Sequence, residues 1–418
     1  MGTIKLGYGH SSVRFDFDDG RFDVLGRAAG SHSLTDGDIG RGIDNPIESP
    51  PLEELFEAGD TVLIVASDAT RATGSAQIVN LLIRRLVQVG VIPSDIAIIF
   101  ATGIHRPVTP EEKLFLLTPF IAERIRTLDH NAYDHAKLVQ VGTTQSGATV
   151  ELNRALKEFR KIILTGAVGF HYFAGFTGGR KAICPGLASA QTIETTHMLA
   201  MDFEQGGRRA GVGAGLLQGN AVSAECERIA AMIDPAFIVN TIVNERGEPE
   251  QVFAGHWRAA HQRACESYAA NHSGTVNEKR AIVIVSCGGA PYDINMIQAH
   301  KALDMAAHAC VDGGTIILLA ECAEGSGRAN FLKWFDCRDS RALEARLRAR
   351  YEVSGQTAWA LLTKTERFRV CTLTQLANDE VCRMRMNPCA SIDEAITNFA
   401  LDTQGYIMPG GAAFLPLI

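Results

Sequence analysis

Three histidines and a lysine stand in segments rich in glycine, where a chain can approach a ligand closely. His171, Lys181 and His197 lie between residues 166 and 197, and six glycines in this stretch allow the backbone to wrap around an anionic or planar ligand. His105 lies apart from them in a TGIHRP segment, after Gly103. An imidazole of near-neutral pKa suits a general base, although a histidine in such a turn can also be a plain capping residue.

These residues follow predicted strands. The apolar runs at 61–66, 96–101 and 161–168 indicate buried strands, with helices predicted to begin near residues 75, 110 and 190. Asp68 and Arg71 follow the first run, His105 the second and His171 the third. In a parallel sheet the carboxyl ends of strands share one edge, so we expect one rim that carries these polar groups.

A second series of alternating strands and helices begins after residue 272. Strands are predicted at 281–286, 315–320 and 368–373, and helices at 295–310, 340–351 and 392–399. The pattern therefore predicts an α/β protein of two domains with mostly parallel sheets, residues 1–272 and the smaller 273–418. The tail at 405–418 is rich in glycine and proline and predicts no element.

Composition excludes several classes of protein. The chain has 418 residues, with 40 basic and 47 acidic side chains and a net charge of −7, which disfavours nucleic-acid binding. Its ten cysteines form no CxxC pair, as expected of reduced thiols. No apolar run approaches the ~20 residues of a membrane span. We therefore expect a cytoplasmic protein that contacts neither nucleic acid nor membrane.

The chain resembles the nickel-dependent lactate racemase family. That family uses a nickel-pincer nucleotide, a pyridinium mononucleotide whose two thio-substituents and ring carbon hold Ni(II). The resemblance rests on five ordered blocks: SDATRATGS at 67–75, ATGIHRPVTPEE at 101–112, DHNAYDH at 129–135, the glycine-rich segment at 166–197, and IQAHKALDMA at 297–306.

The resemblance implies a role for each reactive side chain of the first domain. His105 and His171 match the two acid/base histidines, and His197 matches the only protein ligand to nickel. Lys181 matches a lysine that can be joined covalently to the cofactor. When the pincer supplies three donors to a square-planar Ni(II) ion, one coordination position is left for one imidazole nitrogen.

Further residues are expected to bind substrate or cofactor. Arg71 can direct a bidentate guanidinium at a carboxylate or phosphate, and Asp68 either orients it or meets a ribose hydroxyl of the cofactor; a simple turn pair is the alternative. Gln298 and Lys301 share a helix face, which the resemblance places in an interdomain active-site cleft and which would otherwise be a solvated surface. Trp359 matches an aromatic site position loosely, and a core tryptophan is nearly as plausible.

The implied reaction is racemisation of a 2-hydroxy acid. One histidine takes the hydroxyl proton while the Cα hydride moves reversibly to the cofactor, and the second histidine serves the other enantiomer. Ile297 beside Gln298 predicts an aliphatic pocket wall and short-chain substrates. The enzymes that make the cofactor are expected partners.

Three alternatives remain at this point. A sugar-acid 2-epimerase would use the same cofactor in a larger and more polar pocket. A zinc hydrolase would gather His105, His171 and His197 on one metal ion, although no HExxH motif is present. A nucleotide-binding module would bind without turnover and would leave the acid/base histidines without a purpose.

Overall fold

The computed structural model describes residues 1–27 and 32–418. Contacts divide the chain into two units. The first unit contains residues 1–28, 201–209 and 270–418, and the second contains residues 29–200 and 210–269. Twenty strands and fourteen α-helices occur in the described ranges.

The strands are β1 Gly2–Tyr8, β2 Ser11–Phe17, β3 Phe22–Val24, β4 Val62–Ala66, β5 Ile96–Phe100, β6 Arg126–Asp129, β7 Leu138–Thr143, β8 Thr149–Asn153, β9 Lys161–Ala167, β10 Phe170–His171, β11 Gly175–Phe176, β12 Phe237–Val243, β13 Pro249–Gly255, β14 Ser273–Thr275, β15 Arg280–Ser286, β16 Cys310–Leu319, β17 Arg369–Leu373, β18 Asn387–Pro388, β19 Gly405–Met408 and β20 Leu415–Leu417.

The helices are α1 Asp36–Asp44, α2 Leu52–Leu55, α3 Ser75–Gln88, α4 Pro110–Leu117, α5 Pro119–Arg124, α6 Ala155–Glu158, α7 Ala190–Met198, α8 Ala221–Ala231, α9 Trp257–His272, α10 Met296–Ala309, α11 Ser340–Ala349, α12 Val353–Arg367, α13 Asn378–Arg383 and α14 Ile392–Ile396. Short 3₁₀ turns occupy Pro93–Asp95, His135–Lys137, Gly179–Ala182 and Leu332–Asp336.

The second unit is built on a six-stranded sheet of order β13-β12-β9-β4-β5-β6. All neighbours are parallel except β12 and β13. Every residue of β4 and β5 is buried, which explains their continuous apolar sequences. Helices α1, α3 and α4 pack against this sheet in one apolar core.

The first unit has its own six-stranded sheet of order β18-β17-β16-β15-β19-β3, parallel throughout. The predicted α/β class with mostly parallel sheets is therefore confirmed. No helix in the described ranges combines the length and apolar character needed to cross a membrane.

The division into units differs from the contiguous domains 1–272 and 273–418 that we expected. The change of unit at residue 270 lies beside the expected boundary, but β3 pairs with β19 and so belongs to the first unit. The hairpin β1–β2 also belongs to the first unit, because Leu6, Phe15 and Phe17 lie in the same apolar core as Ile282 and Ile407. Residue spacing identifies a strand but does not say which sheet it joins.

The tail is an integral part of the first unit. Strand β19 lies between β15 and β3, and β20 pairs with β14. Ile407 is fully buried, whereas Leu401, six residues earlier, is 87% exposed.

We therefore predict that Ile407→Ala lowers the free energy of unfolding by about 2–5 kcal/mol, the usual cost of a cavity in a core. The matched control Leu401→Ala should change it by less than about 0.5 kcal/mol. Chemical denaturation measures both values. Equal, small effects of the two substitutions would show that the tail is not part of the core.

Candidate functional site

The three strands that precede the reactive segments are neighbours. Strand β4 pairs in parallel with β9 on one side and with β5 on the other. The segments that begin after Ala66, Phe100 and Ala167 therefore leave the same edge of the sheet. The predicted common rim is confirmed, and it lies where parallel sheets bind ligands.

On this rim, Asp68 holds His105. The Nδ1 atom of His105 lies 2.7 Å from Oδ2 of Asp68, while Thr70 donates its N–H and hydroxyl to Oδ1 at 3.0 and 2.6 Å. Burial raises the pKa of Asp68, but the hydrogen bond and charge of His105, with Thr70 and Arg71, lower it overall. The carboxylate is therefore charged and accepts Nδ1–H, which leaves Nε2 as the basic nitrogen.

This contact adds to what we expected of Asp68. The carboxylate was expected to orient Arg71 or to bind a ribose hydroxyl. Its hydrogen bond to His105 was not expected. The Asp68 side chain is 6% exposed and that of His105 is 38% exposed. A buried carboxylate behind an accessible imidazole is the arrangement of an oriented general base.

Gly103 joins the His105 turn to the glycine-rich segment. It has a positive φ of 55°, and its N–H donates to the carbonyl of Gly186 at 2.8 Å. A Cβ at this position would lie 3.4 Å from the carbonyl oxygen of Pro185. That distance is an ordinary contact, so it is the positive φ of this turn, not lack of space, that favours glycine here.

Phe173 lies at the centre of the reactive side chains. Its ring centroid is 4.5 Å from that of His171 and 5.0 Å from that of His197, both in edge-on contact. The Nζ atom of Lys181 lies 5.6 Å from the same centroid. Phe173 is 5% exposed, so one buried ring brings together the three residues that the sequence singled out.

The backbone fixes the protonation pattern of His171. Its Nδ1 atom accepts N–H groups of Phe173 and Ala174 at 3.5 and 3.2 Å. A nitrogen that accepts hydrogen bonds carries no proton, so the neutral ring has its proton on Nε2. In this resting state the neutral ring of His171 can donate a hydrogen bond from Nε2.

Burial determines the charge of His197. It is 7% exposed, and burial, reinforced by the charge of Lys181, lowers its pKa to about 3. The imidazole is neutral at physiological pH, which is the form that binds a metal ion.

Lys181 is weakly basic for the same reason. Burial, opposed by Cys226 and reinforced by Arg180 and Arg71, lowers its pKa to about 8. A fraction of its amine is then neutral and nucleophilic near pH 7. A neutral imidazole can bind a metal ion and a neutral amine can form a covalent link, so the chemistry of these two residues fits the cofactor that the resemblance implies.

Two residues that hold the backbone of the glycine-rich segment in place were not predicted from the sequence. Arg180 is 2% exposed and donates to the carbonyl of Ala174 at 2.9 Å, directly after Phe173. Asn240 on β12 is fully buried and accepts the N–H of Gly179 at 3.1 Å. Isolated in sequence, neither residue carried a signal.

The remaining candidates lie in the first unit. On α10, Nζ of Lys301 donates to Oε1 of Gln298 at 2.5 Å, so the two side chains share a helix face as predicted. Ile297 is partly buried and its carbonyl accepts from His300. Trp359 is 3% exposed and donates Nε1–H to Glu344 at 2.8 Å. Binding of substrate by these residues, and the interdomain cleft, stay predictions.

The arrangement of donors argues against a zinc hydrolase. Across residues 1–27 and 32–418, no three His, Cys, Asp or Glu side chains are grouped so that they could hold a metal ion. His105, His171 and His197 therefore do not form the shared ligand set which that alternative requires.

Comparison with known proteins agrees with these motifs. Residues 8–207 match the lactate racemase N-terminal domain and residues 276–406 match the lactate racemase C-terminal domain. A lactate racemase of Thermoanaerobacterium thermosaccharolyticum is 34% identical over 340 residues, 80% of this chain and 78% of the relative. One of Lactiplantibacillus plantarum is 32% identical over 335 residues, 79% and 77% of the two chains.

The fold agrees as well. The lactate racemase apoprotein of Thermoanaerobacterium thermosaccharolyticum superposes with a TM-score of 0.92 at 28% identity, over 100% of both chains. A Thermotoga maritima protein shares the fold at 20% identity with a TM-score of 0.68, over 93% of this chain and 100% of the other. The predicted isomerase class is confirmed by these relatives. The chain belongs to the lactate racemase family, whose members are nickel-dependent.

Proposed function

We propose that the protein racemises a short-chain 2-hydroxy acid of the lactate type, with His105 and His171 as the acid/base pair. The observation that carries the proposal is the Asp68–His105 contact of 2.7 Å on the same sheet edge that bears the segment of His171. Relatives named lactate racemase support the choice of substrate.

The cofactor we propose is the nickel-pincer nucleotide. Nε2 or Nδ1 of His197 would bind Ni(II), and Lys181 would form the covalent link or pair with a cofactor carboxylate. When bound, the cofactor supplies a carbon that accepts hydride from Cα of the substrate and returns it. Phe173 supports the proposal, since its ring lies beside both residues.

The two histidines handle the hydroxyl proton. Nε2 of His105 takes the proton of one enantiomer, and the charge of Asp68 stabilises the resulting imidazolium. His171 enters as the imidazolium, gives its Nε2 proton to the oxygen of the other enantiomer and is left neutral with its remaining proton on Nδ1. This requires release of the long Nδ1 contacts with the N–H groups of Phe173 and Ala174. The roles reverse in the opposite direction, which lets one site serve both enantiomers.

The substrate carboxylate would be held by cations. Arg71 is exposed on the rim, and Lys301 with Gln298 offers an ammonium and an amide on one helix face. The aliphatic side chain of Ile297 favours a small apolar substituent over the hydroxyl-rich chain of a sugar acid. Trp359 lines a different cavity and is left out of this site.

We predict that His197→Ala abolishes nickel retention and leaves the fold intact. The control is His10→Ala, which removes an exposed histidine. Metal analysis after loading with cofactor, together with circular dichroism, tests this. Stoichiometric nickel in folded His197→Ala protein would exclude this residue as the ligand.

We predict that Asp68→Asn lowers kcat by about 10²-fold in both directions with nickel content unchanged, because the amide cannot stabilise the imidazolium. His105→Ala should lower it at least as much. Chiral analysis of the product measures both, with the exposed His135→Ala as control. Activity of Asp68→Asn within twofold of the parent would remove the carboxylate from the mechanism.

We predict that Lys181→Met stabilises the cofactor-free protein by about 3 kcal/mol at pH 7, because the pKa of this lysine falls to about 8 on folding and burial of its charge is therefore unfavourable. The folded lysine loses its proton before the unfolded one does. The advantage of methionine should therefore shrink as pH rises from about 8 towards 10.4. Urea unfolding at several pH values tests this against the exposed Lys157→Met. A difference independent of pH would contradict it.

A further inference from the structure

The first unit contains a cavity of about 380 Å³ that is lined in part by cations. None of the histidines or lysines assigned above lines it; Trp359 alone is shared with the candidate site residues. The volume falls within the range of small-molecule sites. The lining residues are Gly207, Arg208, Lys279, Asp304, Ala307, His308, Trp359, Thr363, Lys364, Arg367 and Phe368.

The charge of this cavity is strongly positive. Arg208, Lys279, Lys364 and Arg367 face a single lining carboxylate, that of Asp304. Asp304 is already compensated, since it accepts from Nη2 of Arg208 at 2.9 Å and from Lys364. The surplus of positive charge favours an anion with more than one negative charge.

Lys279 and Arg367 are the cations available to that anion. Lys279 is half-buried, and the carboxylate of Glu278 beside it in sequence pairs with Arg280, at 3.8 Å. Nε of Arg367 is shared with Asp312 at 2.5 Å, a carboxylate that is 71% exposed and therefore screened by water. A guanidinium beside an ammonium is a common arrangement for binding phosphoryl oxygens.

Asp304 also offers an acceptor. The residue is 1% exposed, and within the described part of the chain its Oδ2 atom has no hydrogen-bond partner. A buried carboxylate oxygen without a donor is costly, and a ligand hydroxyl would relieve that cost. The walls of Trp359, Phe368 and Ala307 leave room for an organic body beside the charged end.

We propose that this cavity binds a small phosphorylated hydroxy compound of sugar-phosphate size. The phosphoryl group would lie against Lys279 and Arg367, and a hydroxyl would donate to Asp304. His308, whose pKa burial lowers with the help of Arg208 and Lys364, stays neutral and adds no charge.

A ligand in this cavity would contact the segment formed by residues 201–209. Arg208 belongs to residues 201–209, which pack in the first unit although residues of the second unit flank them on both sides. The segment is held there by Arg208 on Asp304 and by the N–H of Gly207, which donates to Glu344 at 2.8 Å. Binding in the cavity should protect this segment from hydrogen exchange.

The test is calorimetric titration of the full chain loaded with cofactor, at constant ionic strength, with ribose 5-phosphate, ribose and inorganic phosphate. We expect saturable binding of ribose 5-phosphate, at least tenfold weaker binding of inorganic phosphate, and none of ribose. Protection of residues 201–209 should accompany binding. Equal affinity for ribose 5-phosphate and inorganic phosphate would overturn the proposal, and so would binding of unphosphorylated ribose.

Variants locate the site. Lys279→Ala combined with Arg367→Gln should weaken binding at least tenfold, whereas the exposed Arg369→Gln, outside the cavity, should not. Saturating lactate should leave the affinity unchanged. Unaltered binding in the double variant, or competition by lactate, would refute this second site, and neither result would bear on the proposed racemisation.

Discussion

Parallel pairing of β9, β4 and β5 is the constraint on which the rest of the site depends. Because the three strands run in the same direction and lie side by side, the chain segments after them must leave one edge of the sheet. Residues 68, 105 and 171 are far apart in sequence and are brought to that edge by register alone. The buried apolar strands therefore set the chemistry, although they carry no reactive group.

Burial then sets the charge of each reactive group. His197 is neutral because water is excluded from it, and Lys181 is a weak base for the same reason. Asp68, also buried, stays charged because His105 and Thr70 supply hydrogen bonds. The site thus holds a neutral imidazole, an activated amine and an ionised carboxylate, each in the form its proposed role requires.

The sequence predicted most of this rim and less of what surrounds it. Strands β4, β5 and β9 were found because both faces are buried, which produces unbroken apolar runs. The residues of hairpin β1–β2 and strand β3 were expected within the domain 1–272 but pack in the first unit, since the sheet that a strand joins is decided by tertiary packing. Strand β19 was missed because its four residues are followed at once by proline and glycine.

The same limit applies to the site. His105, His171, Lys181 and His197 are recognisable from residue type and from the glycines around them. Phe173 was not singled out, because its importance lies in contacts with residues up to 24 positions away. Asn240 and Arg180 act by holding backbone atoms, and such a role is visible only when the backbone is folded.

The central claim is that the histidines move only the hydroxyl proton and never the hydrogen on Cα. The most direct test is racemisation of 2-deuterated lactate in ordinary water by the enzyme loaded with cofactor, followed by mass spectrometry of the product enantiomer. The account predicts that the product keeps its deuterium. Loss of deuterium to solvent at the rate of racemisation would make one histidine a carbon base and would contradict the account.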